Sequence, residues 1–399
     1  MRVGILTFHS SYNFGANLQT LATQEMLKRR DCSPVVIDYR DPWRTEMYRT
    51  RVSPQQREAH EAFIRRHIHL SPLFRSEKEV QEYCEDSLDV ILVGSDQVFR
   101  LLPRWAPKQL MRRLRTGSAS SEWTEVSDRL PVYWLPWPKT ARRTPARAAI
   151  AASACGTAFY YLGRSLQRQA CRSLLDFDFV SVRDDWTRSM VTWLSRGKVK
   201  PEMCPDPVFG LSEHFQPPPG EAPSVDVSKT ILVSADFDAK WLEEFRRLAH
   251  DRGFTISNLP DPHMTYAFDQ SDFAIGLPLS PLAWYGLLAK AAGYIGTRYH
   301  GLVSSMANGT PAVSLDVSNR PRVIKTTSRP YDLLCRKAGA AARYVPVNWL
   351  ARPTPAVILE RLMDGPSLDA ANRYAESART RLAQVFDRIL AGAEAAVRV

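Results

Sequence analysis

Residues 2–40 read "RVGILTFHSSYNFGANLQTLATQEMLKRRDCSPVVIDYR". The apolar run at 2–8 predicts a buried strand. Residues 16–30 predict a helix with Leu18, Leu21, Ala22 and Met26 on one face, and 33–40 predict a second strand. Strand, helix, strand in this order is how a parallel α/β sheet begins.

The same pattern continues outward. "SLDVILVGSDQVF" (87–99), "RAAIAASACG" (147–156) and "DFVSVRDD" (178–185) each read as a strand running into a loop. "MCPDPVFGL" (203–211) closes a first half. "SEHFQPPPGEAPSVDVS" (212–228) is rich in proline and polar residues and reads as a linker. The pattern then restarts. "KTILVSADF" (229–237) predicts a strand and residues 239–253 a helix stopped by glycine. Residues 280–293 predict another helix, with Ser280 as N-cap and Pro281 behind it. "GYIG" and "PAVSLD" predict short strands, and 369–397 a long helix. The expected division is a first domain over 1–212, a linker at 213–228, a second domain over 229–350 and a helical tail at 351–399. Two α/β halves imply a cleft between them, with ligands at the carboxyl ends of the strands.

The chain has 399 residues, 44% hydrophobic and 24% charged, the composition of an ordinary globular protein. No apolar run approaches the roughly 20 residues that span a bilayer. The start, "MRVGILTFHS", opens on a strand and carries no signal-peptide pattern, so a cytoplasmic location is expected. The six cysteines form no CxxC pair, so no metal site is expected and reduced thiols are. The net charge of +11 is uneven. Residues 101–147 hold ten basic residues against three acidic ones, together with Trp105, Trp123, Trp134 and Trp137. Such a segment suits an anionic lipid surface; alternatively it is a solvated insertion whose tryptophans dock on their own domain. No nucleic-acid module accompanies the charge, and no nucleic-acid partner is expected.

"GTRYHGLVSSMANGTP" (296–311) carries the sharpest chemical signal. It places Arg298, Tyr299 and His300 in a strand-to-helix turn, with Pro311 barring the helix from continuing. The first N–H groups of such a helix lack internal partners and its dipole is positive there. An arginine beside them suits a phosphate or carboxylate, and a histidine can move a proton near neutral pH. The bland alternative is a capped turn with a surface arginine and a packed histidine.

Taken in order, "GILTFHSSYNFGANLQTLATQEML", "VGSDQVF", "AASACG", "SVRDD", "DPVFGL" and "TRYHGLVSSMANGTPAVSLD" resemble the polysaccharide pyruvyl transferase family. The resemblance implies two Rossmann-like domains in a glycosyltransferase-B-like arrangement. It implies transfer of a pyruvyl group from phosphoenolpyruvate, the co-substrate, onto two hydroxyls of a sugar or glycoconjugate, giving a ketal and phosphate with no cofactor. It implies that Arg183 and Arg298 hold the donor's phosphate and carboxylate, with Tyr299 beside them, and that His300 is the general acid. Asn13, Gly15 and Asn17 would line the cleft from the other side, and Ser95 and Asp96 would face it. Two features depart from the family: the basic insertion after Arg100, and Cys155 in "AASACG".

Plainer roles stand beside these. Asp96 can cap a helix, and Asn13 and Asn17 can cap or turn. Asp206 before Pro207 reads as a turn former, His9 as a packed residue, and Arg183 can pair with Asp184 or Asp185 on the surface. The insertion follows a cleft-facing loop, so it is expected near the acceptor entrance. There it would meet an anionic, lipid-linked acceptor or the inner face of the membrane. The rival functions are a nucleotide-sugar-dependent glycosyltransferase of similar fold and a non-catalytic binding protein.

Overall fold

The structure is a computed structural model that describes residues 1–118, 126–139, 144–211, 225–264, 270–317, 330–347 and 352–397. The first half contains β1 (Arg2–Leu6), α1 (Phe14–Lys28), β2 (Ser33–Val36), α2 (Pro42–Arg51), α3 (Pro54–His67) and α4 (Glu77–Ser87). It continues with β3 (Val90–Asp96), α5 (Pro107–Thr116), β4 (Ala146–Ala152), α6 (Arg164–Leu175), β5 (Phe179–Val182), α7 (Asp185–Leu194) and β6 (Glu202–Met203). Its sheet is parallel throughout, in the order β2-β1-β3-β4-β5-β6. The central strands β3 and β4 are buried almost end to end, as a parallel sheet covered on both faces requires.

The second half contains β7 (Thr230–Ser234), α8 (Ala239–His250), β8 (Thr255–Asn258), α9 (Pro281–Lys290), β9 (Gly293–Gly296) and α10 (Tyr299–Ala307). It ends with β10 (Ala312–Val317), α11 (Pro330–Lys337), β11 (Tyr344–Val347), α12 (Pro355–Met363) and α13 (Gly365–Val397). Its parallel sheet has the order β11-β10-β9-β7-β8. Most of the expected linker, residues 212–224, lies outside the described residues.

The halves meet closely. Gln56 exchanges two hydrogen bonds with the backbone of Leu279, both 2.8 Å. Phe14 stacks on Trp284 with ring centroids 5.2 Å apart. The final helix α13 lies against β4, β5 and α1 of the first half. Arg30 ties it down at Asp387, 2.7 Å, and Arg388 pairs with Glu202.

This contact corrects the reading of α1. An amphipathic helix is expected, yet nearly every residue from Phe14 to Leu27 is buried. The first sheet covers one side of α1, while α9, α10 and α13 cover the others. Three helices between residues 41 and 87, silent in the hydrophobic pattern, start at side-chain caps: Asp41, Ser53 and Ser76, the last in a capping box with Glu79.

The insertion divides. Trp134 and Trp137 are buried, Trp105 is exposed, and Trp123 lies outside the described residues. Arg147 is not a solvated charge. It is buried in β4 and donates to the Trp137 carbonyl at 2.8 Å.

Candidate active site

β9 ends at Gly296, and α10 begins three residues later, so Arg298 is the N-cap and Tyr299 and His300 form the first helical turn. The two glycines around this stretch have one packing reason. A Cβ on Gly296 or Gly301 would fall 2.1 or 2.2 Å from the Tyr294 hydroxyl. That hydroxyl is hydrogen-bonded to Ser234 Oγ at 2.7 Å, which locks the strand end beneath the helix.

Arg298 does not cap the helix with its side chain. Its Nη2 donates to Asp261 Oδ1, 2.8 Å away on the loop after β8, and the side chain stays about one-third exposed. Arg183, at the end of β5, is buried. Its Nη2 donates to Asp96 Oδ1 and its Nη1 to Asp206 Oδ2, both at 3.0 Å, and its guanidinium lies over the Tyr299 ring at 4.7 Å. The surface pairing of Arg183 with Asp184 or Asp185 is therefore not what forms. Asp184 instead caps α7 through Thr187. Burial alone would lower the Arg183 pKa, but the Asp96 and Asp206 carboxylates carry it above its ordinary value. Burial and the nearby Asp206 carboxylate keep the Tyr299 hydroxyl protonated, far above a normal phenol.

Asp206 is the hub of the site. It is buried, its Oδ1 accepts from the Val208 N–H, and its Oδ2 accepts from Gln19 Nε2 at 2.6 Å as well as from Arg183. The turn role read from the sequence is real, but the larger role is this three-way junction. His300 Nε2 lies 3.8 Å from the same oxygen, too far for a hydrogen bond. Burial holds the His300 pKa below its ordinary value. Asp206 and Asp96 pull it up, while Arg183 and Arg298 push it down.

Among the described residues, the buried polar atoms on these elements without a hydrogen-bond partner include His300 Nε2, Arg183 Nε, Gln19 Oε1 and Ser95 Oγ. Buried polar groups are nearly always paired, so such a concentration marks a place built for a ligand or water. Arg183, Tyr299 and Asp206 also line an open pocket together with Lys337, Tyr374 and Arg381.

The N-terminal loop approaches from the first half. Asn13 caps α1 by accepting from Ala16 N–H at 3.2 Å. Gly15 packs against the His300 ring so closely that a Cβ there would fall 2.0 Å from its Cγ. Asn17 is buried and its side chain is held by two neighbours. Its Nδ2 donates to the His9 carbonyl at 2.6 Å and its Oδ1 accepts from His60 Nδ1 at 2.8 Å. His9 is packed and paired with Asp38 at 3.0 Å. Ser95 is buried beside Asp96, whose backbone is left-handed (φ 69°), a conformation that turns its carboxylate toward Arg183.

The structure thus brings together Gly15, Asp96, Arg183, Arg298, Tyr299 and His300 at the carboxyl ends of strands from both sheets, and leaves Asn17 in a supporting position. The sequence reading missed Gln19 and Asp261. A glutamine in a helix whose neighbours are apolar was the available signal for the first; "NLPDPH" offers none for the second. Among the described residues, no three His, Cys, Asp or Glu side chains come together to hold a metal ion. No helix there is long and apolar enough to cross a membrane.

Comparison with known proteins agrees with this architecture. No curated protein matches the chain in sequence. Among solved structures, the UDP-GlcNAc 2-epimerase from Neisseria meningitidis bound to UDP-GlcNAc is similar, with a TM-score of 0.56 at 13% identity over 98% of this chain and 99% of that one. Another UDP-N-acetylglucosamine 2-epimerase matches with a TM-score of 0.50 at 12% identity, over 98% and 94%. At such identities the likeness shows the fold alone: two Rossmann-like domains in the glycosyltransferase-B arrangement. The profile of the polysaccharide pyruvyl transferases matches residues 13–319, spanning the β3, β5 and α10 ends that build the site. The chain therefore belongs to the polysaccharide pyruvyl transferase family, a family of transferases.

Proposed function

We propose that this transferase takes phosphoenolpyruvate as donor and a sugar or glycoconjugate as acceptor, and that His300 is its general acid. The observation that carries the reading is the buried, unpartnered Nε2 of His300 between a carboxylate and two arginines. Phosphoenolpyruvate concentrates a carboxylate and a phosphate on three carbons. Arg298, the more exposed of the two arginines, is the arm available to them. Arg183 is already matched by two carboxylates, so its part is to fix Tyr299 and Asp206 and to add positive potential behind the donor.

Burial favours the neutral form of the His300 imidazole. An arriving anion offsets the arginines and raises the imidazole's pKa, so His300 takes up a proton with the donor. It then delivers that proton to C3 of phosphoenolpyruvate. C2 becomes oxocarbenium-like and bonds to a sugar hydroxyl, whose proton returns to His300. The C2–O bond to phosphate breaks, a second hydroxyl closes the ring, and its proton leaves with the phosphate. One methyl group, two C–O bonds and one hydrogen phosphate balance the step.

The cleft and its donor chemistry suit polysaccharide biosynthesis at the cytoplasmic face of a membrane, where phosphoenolpyruvate is available. The test is phosphate release from phosphoenolpyruvate with a panel of sugar acceptors. Release that requires both substrates supports the reading. Turnover of a uridine or guanosine diphosphate sugar, with no response to phosphoenolpyruvate, would instead make the protein a glycosyltransferase. Binding without turnover would make it a non-catalytic relative.

A further inference from the structure

Helix α5 presents its apolar side to water. Leu110, Met111 and Leu114 are 45%, 52% and 75% exposed, and Trp105 just ahead of the helix is 62% exposed. At about 100° per residue, the three helical side chains fall in one sector of roughly 100°. Gln109, roughly opposite, is the residue buried against the body of the protein. The usual arrangement, apolar side in and polar side out, is reversed.

The borders of that sector are cationic. Arg113 lies on one side and Arg115 on the other, both exposed, with Arg112 beyond Arg115. None of these three arginines makes an ion pair within the described residues. An apolar stripe edged by arginines, with a tryptophan at its end, has the chemistry of a helix that lies in the interface of an anionic bilayer. A second copy of the chain fits poorly, because pairing the stripe with itself would bring two sets of arginines together. A nucleic acid would leave the apolar sector uncovered. We propose that α5, with Trp105, is a peripheral docking element for an anionic phospholipid surface.

Its place in the fold gives the docking a consequence. β3 ends at Asp96, inside the candidate active site, and α5 starts at Pro107. The chain between them is pinned rather than loose. Phe99 N–H donates to the Ser153 carbonyl at 3.1 Å, and Leu101 N–H to Thr157 Oγ1 at 2.9 Å. Leu102 N–H donates to Ser127 Oγ at 3.0 Å. A docked α5 therefore holds the carboxyl edge of the first sheet, and the cleft with it, at the bilayer surface. If the chain is a pyruvyl transferase as proposed, its acceptor is then a sugar carried on a lipid; the docking itself does not depend on that reading.

The test is co-sedimentation of the full chain with vesicles of phosphatidylglycerol in phosphatidylcholine and with phosphatidylcholine alone. Two variants accompany it: Leu110→Ser with Met111→Ser and Leu114→Ser, and Arg112→Ser with Arg113→Ser and Arg115→Ser. All six positions are at least partly exposed, so the melting temperature should hold. The native chain should bind anionic vesicles about tenfold or more tightly than neutral ones, more weakly as salt rises, and each variant should lose about tenfold or more. Equal binding to both vesicles, or unchanged binding by both variants, overturns the proposal. So does a concentration-dependent dimer, in the absence of lipid, that the leucine and methionine changes abolish. Phosphoenolpyruvate binding by calorimetry should be the same in all three proteins. Its absence in all three would count against the donor assignment and leave the docking result standing.

Discussion

Gly15, in the first turn of α1, is pressed against the imidazole of His300, in the first turn of α10. The two residues come from different halves of the molecule, and a single added carbon on Gly15 would fall 2.0 Å from His300 Cγ. The catalytic candidate is thus positioned by the closure of one half on the other.

Gly15→Ala should leave each half folded but push the imidazole aside or hold the halves apart. A displacement of about 1 Å at a reacting group costs on the order of 10²-fold in rate. Phosphate release should fall by that order while the melting temperature changes little. A variant with native turnover would show that the close approach has no bearing on the chemistry.

Arg298 is held by Asp261 at 2.8 Å. Arg298→Ala should weaken phosphoenolpyruvate binding by about tenfold or more, the value of a charged hydrogen bond of roughly 1.5–3 kcal/mol. Asp261→Ala frees the guanidinium from a competing carboxylate and should leave donor affinity unchanged or raise it. Calorimetric titration of both variants checks the pair of signs. Loss of affinity in Asp261→Ala would mean that the carboxylate orients the arginine rather than competing for it.

The side chains of Asp206 and Arg183 are a buried pair within a larger network. Removing Asp206 leaves Arg183 with Asp96 alone, and removing Arg183 leaves two carboxylates facing each other without their cation, at a cost of about 3 kcal/mol. Asp206→Asn and Arg183→Met should each lower the urea midpoint strongly. The double variant should lose less than the sum of the two, because both single changes break the same Arg183–Asp206 contact. Strict additivity would mean that the two side chains do not act as a pair.

Two histidines, His60 buried and His263 partly buried, make stability fall in mild acid. Burial, with His263 nearby, lowers the His60 pKa from 6.5 to about 3, and burial lowers that of His263 to about 4. The unfolded chain protonates these rings at higher pH than the native one. Their contribution is therefore complete above pH 6.5 and is lost as pH falls toward 3–4. Each contributes at most roughly 1.4 kcal/mol per pH unit. His60→Gln should flatten the decline of melting temperature between about pH 6.5 and 5. An unchanged slope would place the acid sensitivity elsewhere.

The alternation of strands and helices was legible because buried parallel strands are near-continuous apolar runs, as in β3 and β4. α2, α3 and α4 were not, because they are polar and partly exposed. Their ends are set by the caps Asp41, Ser53 and Ser76 rather than by an apolar stripe. In the site, Arg298, Tyr299 and His300 announce themselves by lying together in one strand-to-helix turn. Asp206 and Gln19 do not, since their meeting spans 187 positions of sequence and depends on how β6 and α1 pack. The cleft role expected of Asn17 came from the family resemblance, and its local bonding partners were not legible in the sequence. Its side chain bonds to the His9 carbonyl and to His60, 43 positions along the chain.

The central claim is that His300 protonates phosphoenolpyruvate, and the most direct measurement compares the native protein with His300→Gln. Donor binding is followed by calorimetry, and phosphate release is followed with an acceptor that the native protein uses. The account predicts donor affinities within about threefold of each other, and release slower by about 10² or more in the variant, the usual value of general acid catalysis. Phosphate release by His300→Gln at the native rate would contradict it.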